Sequence, residues 1–87
     1  MFPFTDDIVN EWFERTFDED VAEEEMVWHR DKRDRVITVL QGEGWQFQFD
    51  NQIPVEIEEG DVIEIPKYSY HRLIKGNSKL ILQIEEK

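Results

Sequence analysis

The sequence predicts an all-β domain of antiparallel strands, preceded by one short helix. Three observations lead there. From residue 26 onward, segments dense in β-branched and aromatic residues recur at short, regular spacing. Gly, Asn and Pro punctuate them with turn signals. No helix-period pattern separates these segments, which excludes alternating βαβ units. The 87 residues suffice for one domain.

The first 25 residues differ in texture from the rest. Thr5 is a candidate N-cap, and Asp6 and Asp7 would lie in a first helical turn, where the helix dipole favours anions. Ile8 and Trp12, and likewise Val9, Phe13 and Phe17, recur at i, i+4 spacing. A helix over roughly 6–17 is expected, with its apolar stripe packed on the strands. The acidic run 18–25 reads as a solvated linker, because it lacks the alternating acids and central Gly of a calcium loop. Residues 1–25 are thus an N-terminal helix and acidic linker, and 26–87 the β domain.

The expected strands are Met26–His29, Arg35–Gln41, Trp45–Phe49, Pro54–Ile57, Val62–Ile65, Tyr70–Lys75 and Leu80–Ile84. In the third, Trp45, Phe47 and Phe49 share one face, and Gln46 and Gln48 the other. Turn signals at 42–44, 50–52 and 76–78 separate neighbours. Strands this short and this close argue for a sandwich or barrel.

Charge narrows the partners. Asp and Glu number 21 against 10 Lys and Arg, a formal net charge of -11. That balance opposes phosphate backbones, whose affinity comes from cations, and anionic lipid, so neither nucleic acid nor membrane is an expected partner. No apolar run nears the ~18–20 residues of a membrane span, and the start lacks the basic and apolar regions of a signal peptide. Cysteine is absent, which excludes disulfides and thiolate chemistry. A cytoplasmic protein is expected. No Walker loop, dinucleotide fingerprint or nucleophile elbow appears. The run His29-Arg30-Asp31 spells a kinase tripeptide, but no glycine-rich phosphate loop accompanies it.

Gly60, Pro66 and His71 fall at the intervals of the motif G-x5-P-x-G-x2-H-x3-N, with Tyr68 at the second Gly and Lys75 at the Asn. Val39-Leu40-Gln41-Gly42 matches the strand end of a second motif, G-x5-H-x-H-x3–4-E-x6-G. Counting back from Gly42 sets Arg35 at its Glu, Asp31 and His29 at its two His, and Glu23 at its first Gly. Over about residues 24–84 the chain therefore resembles the cupin superfamily. The resemblance implies a single cupin-type antiparallel β-barrel, or jelly roll. It also implies a metal position, held in relatives by three His and a Glu.

Here that position offers His29, Asp31 and His71. Two His and one carboxylate form a facial set known for non-haem iron, with positions left open for other ligands. Fe, Mn, Ni and Zn are not ranked by these residues. Arg35 works against a metal, since it has no acceptor and stays protonated. At ~5 Å and an effective dielectric of ~20, it repels a divalent ion by about 7 kcal/mol. A metal-free pocket, with Arg35 paired to Asp31 or Asp34, stays open beside the metal site.

Three functions follow from the resemblance. The first is a pocket for a small anionic molecule. Arg35, Tyr68, Tyr70 and the two His would line its mouth, and Trp45, Phe47 and Phe49 its floor; a guanidinium suits a carboxylate or phosphate. The second is an enzyme of dioxygenase or isomerase type, using the metal, or using His71 or His29 as a general base. The third is a non-catalytic homodimer associating through outward Val36, Thr38 and Leu40.

Overall fold

The computed structural model describes residues 4–9, 12–18 and 27–87. Among them are β1 (Phe4–Val9), β2 (Trp12–Phe17), β3 (Arg35–Gln41), β4 (Gln46–Phe49), β5 (Val55–Glu56), β6 (Val62–Ile65), β7 (His71–Ile74) and β8 (Leu80–Glu86). They form two antiparallel sheets. The larger has the order β1-β2-β8-β3-β6, and the smaller β5-β4-β7.

The bounds follow side-chain alternation. On β8, Leu80, Leu82 and Ile84 are buried, and the residues between them are only half-buried. Ile37 and Val39 of β3 and Ile65 of β6 face the same interior. From the smaller sheet come Trp45, just before β4, and Phe47. The core therefore lies between the sheets. Trp45 is fully buried at its centre, and its indole Nε1 donates to the Ser78 carbonyl at 2.7 Å. Val36 and Thr38 are half-buried on the opposite face of β3, and Leu40 is exposed.

Two expectations need correction. In place of a helix over 6–17, Phe4–Val9 and Trp12–Phe17 are strands, and no helix occurs among the described residues. Residues Phe13, Arg15 and Phe17 alternate as well as they step by four, and they pair with Ile84, Leu82 and Leu80. Pairing on β8 satisfies a strand edge that would otherwise be bare, so tertiary hydrogen bonding overrides the helical spacing. The second correction concerns the barrel. The described strands make two separate sheets, with no closed ladder joining them. Most of the acidic run 18–25 lies outside the described residues, as does Met26 of the expected first strand. No helix of the described residues is long and apolar enough to cross a membrane.

Turns hold the sheets in register. Gly60 adopts φ of 90°, a left-handed conformation that glycine takes without strain. Its N–H donates to the Val39 carbonyl at 2.8 Å, and the Val39 N–H donates to Asp61 O at 2.9 Å, which ends the β3–β6 pairing. Gly76 is required for a different reason. A Cβ there would overlap the Trp45 ring and the Glu43 carbonyl oxygen. Gly76→Ala is therefore expected to destabilise the fold by about 1–3 kcal/mol, the usual cost of overpacking, read as a lower urea midpoint at unchanged slope.

Candidate metal centre

His71 opens β7 and is 4% exposed. His29 belongs to no named strand, but it exchanges both backbone hydrogen bonds with His71, at 3.0 and 2.9 Å. A directly opposed antiparallel pair carries its side chains on one face. The two imidazoles accordingly meet edge to face, with ring centroids 4.3 Å apart. Asp31 lies two residues on, with the same side-chain direction in extended backbone.

Asp31 is pinned by the turn at 66–69. The Ser69 N–H closes that turn on Pro66 O at 3.2 Å, and the Tyr68 N–H donates to Asp31 O at 2.8 Å. Tyr68 holds φ of 65°, at the position where the motif resembled here carries glycine. Next to it, the Lys67 N–H donates to Asp34 Oδ1 at 2.7 Å. One donor atom from each of His29, Asp31 and His71 then lies within 4.8 Å of the others.

The tautomers are set by carbonyls, which can only accept. His71 Nδ1 lies 2.8 Å from Ser69 O, and His29 Nδ1 lies 3.0 Å from Val27 O. Both Nδ1 atoms therefore carry protons, and each neutral ring offers the lone pair of Nε2. Carbonyl orientation of this kind accompanies metal-ligating histidines. Asp31 Oδ2 is buried without a hydrogen bond of good geometry and sits 3.3 Å from His71 Nε2. Two lone pairs facing each other need a positive centre between them. A proton or a metal ion supplies it.

Arg35 lies on the inner face of β3. Its Nη2 is 2.8 Å from Glu86 Oε1, and its Nη1 is 3.5 Å from Asp31 Oδ1. Its Nε is buried without a partner. The expected Asp34 contact is not made, because the Asp34 side chain is engaged at Lys67. Glu86 is the residue that sequence reasoning missed. The signal was there: Leu80, Leu82 and Ile84 put position 86 on the inner face, opposite Arg35 in register.

The other expected ligand-binding residues are spread apart. Phe47 stacks on His71, with centroids 5.6 Å apart. Trp45 is in the core. Tyr68 and Tyr70 are exposed and flank the Arg30 guanidinium at 5.8 and 5.3 Å.

Known structures share this architecture. A cupin-2 domain protein from Shewanella frigidimarina is 25% identical, with a TM-score of 0.66, covering 93% of this chain and 76% of its own. A cupin-like protein from Thermotoga maritima is 17% identical, with a TM-score of 0.69 and coverage of 94% and 65%. This is a small cupin-type domain. The same fold occurs in a DMSP lyase from Ruegeria pomeroyi, 12% identical with a TM-score of 0.75; the alignment covers 87% of this chain but 36% of the lyase. No protein-family model and no curated protein matches the sequence.

The His-Asp-His cluster fits a divalent ion on its donor chemistry. It supplies two imidazole nitrogens and one carboxylate, whose buried Oδ2 makes no hydrogen bond of good geometry. Arg35 is shared between Glu86, at 2.8 Å, and Asp31, at 3.5 Å.

In the metal-free protein, Asp31 titrates below the ordinary carboxylate value. Its hydrogen-bonding contact with His71 is the main cause; burial opposes it, and the Arg35 charge and the two histidines add to the lowering. A depressed folded-state value means that the stabilisation is complete above the unfolded value and is lost as pH falls through the folded one. The stability gap between wild type and Asp31→Asn, measured by urea melts on metal-free protein, should be widest above about pH 4 and close in stronger acid.

Proposed function

We propose that His29, Asp31 and His71 bind one divalent transition metal, and that the loaded centre, with Arg35 beside it, holds a small anionic ligand. The observation that carries this reading is the buried Asp31 Oδ2, which makes no hydrogen bond of good geometry and whose one neighbour is His71 Nε2 at 3.3 Å. Three protein ligands leave coordination positions for the ligand itself. When bound, the ion supplies Lewis acidity; a turnover of isomerase, lyase or dioxygenase type would draw on it.

The chain's own residues define the rest. Ser69 O and Val27 O hold the ring tautomers. The Arg35 Nε is a buried donor in want of an acceptor, which a carboxylate supplies. Arg30, Lys32, Arg33, Arg35, Lys67 and Arg72 are six of the ten basic residues, and all belong to the segments that build the site or immediately adjoin them. In a chain of net charge -11, that grouping steers anions toward this end.

Elemental analysis of protein purified without a metal-affinity tag should find one Fe, Mn, Ni or Zn per chain. Adding the ion to stripped protein at about 100 times its Kd should stabilise it by about 2.7 kcal/mol, roughly 10 °C or more in Tm for a domain of this size. The exposed His29→Ala and the isosteric Asp31→Asn should each remove that shift while keeping the fold. A stripped protein indifferent to every divalent ion would instead leave Arg35, Asp31 and His71 as a closed, metal-free network.

A further inference from the structure

Behind Phe47, whose other neighbour is the His71 ring, lies an open groove of about 300 Å³, walled by Phe47 and Phe49 of β4, Val55 of β5, Val62 and Ile63 of β6, and Ile57. This volume is at the small end of the range for ligand pockets, ~300–1,000 Å³.

The groove and the metal ligands are built on the same strands. Phe47 lines the groove and stacks on the His71 ring. Phe49 lines it too, and is the residue paired with His71 across β4 and β7. On the facing sheet, Ile63 lines the groove, while Ile65, two residues on and on the same face, is paired with Arg35. A molecule anchored between Arg35 and His71 therefore has apolar wall running away from it on both sheets.

The wall is core at one end and open at the other: Phe47 and Ile57 are buried, while Val55, paired with Phe47 on the inner face, is 57% exposed. Apolar side chains left in water around a concave surface mark a place where something apolar binds.

Charge sets what the two ends of the occupant carry. Asp31, Glu86 and Arg35 together leave one negative charge at the site, and a divalent ion turns that into one positive charge. One carboxylate cancels it. The groove lining holds Glu56 and Asp61 and no cation. Asp61 Oδ2 accepts the Glu58 N–H at 2.8 Å, which fixes that carboxylate beside the groove. A second anionic group at the far end of the occupant would meet these acids.

We infer that the groove takes the apolar body of a small monocarboxylic acid whose carboxylate lies at the metal and Arg35. The position of the head group rests on the metal-centre reading above; that of the body rests on the groove alone.

A chain-length series separates the two. Acetate, butyrate, hexanoate and the diacid adipate are titrated into zinc-loaded and metal-free protein, followed by amide chemical shifts, with metal content measured on each sample. Burial of each methylene tightens binding by roughly fourfold. Hexanoate should bind at least tenfold more tightly than acetate, and at least tenfold more tightly than adipate. Val55→Glu, at an exposed position compatible with folding, should flatten the series while leaving zinc content and acetate affinity unchanged.

Equal affinities for acetate and hexanoate, or adipate binding as tightly as hexanoate, would overturn the inference even if zinc is bound. A chain-length preference that survives undiminished without zinc and is lost in Val55→Glu would keep the groove for the apolar body but overturn the placement of the carboxylate at the metal, whatever the zinc content. A groove closed by a second copy would appear as a doubled scattering mass that Val55→Glu returns to 10.6 kDa, and that too would overturn the inference.

Discussion

The pair of backbone hydrogen bonds between His29 and His71 is the contact on which the site depends. Without it His29 would have no backbone tie to β7. With it, the two imidazoles are brought edge to face, and Asp31 arrives beside them because extended backbone repeats its direction every second residue. Three residues separated by as many as 42 positions in the chain become one ligand set through a single bridge. The turn at 66–69 then fixes the depth of Asp31 through the Tyr68 N–H. Tyr68 takes a left-handed conformation that a bulky residue adopts only when its surroundings impose it.

Charge balance decides whether such a set can hold a cation. An arginine beside a divalent ion is repelled by about 7 kcal/mol at ~5 Å and an effective dielectric of ~20. Glu86 offsets part of that charge by pairing with the guanidinium, at 2.8 Å against 3.5 Å for Asp31. A substitution that looks hostile to a metal when Arg35 is read alone becomes tolerable when β8 is read with it.

This explains what could be seen in the sequence and what could not. The bounds of β3 and β6 are legible because β-branched runs end at Gly42 and Pro66. His29, Asp31 and His71 are legible as a set only through motif spacing, since nothing local joins them. Glu86 was hidden because its meaning lies in the register of β8 against β3. The helix expected over roughly 6–17 was misread for a physical reason: the apolar spacing of Phe13 and Phe17 satisfies both a helix and a strand, and only the open edge of β8, on which Trp12–Phe17 pairs, chooses between them. Trp45 shows the same limit. Its alternation with Phe47 and Phe49 correctly gave its face, but the depth of that face places it in the core, with Phe47 and Phe49 at the groove.

X-ray absorption at the metal edge of the loaded protein tests the central claim most directly. The account predicts imidazole multiple scattering from two histidines together with a carboxylate oxygen, and loss of one imidazole in His29→Ala. An all-oxygen shell without imidazole scattering, unchanged in His29→Ala, would contradict it.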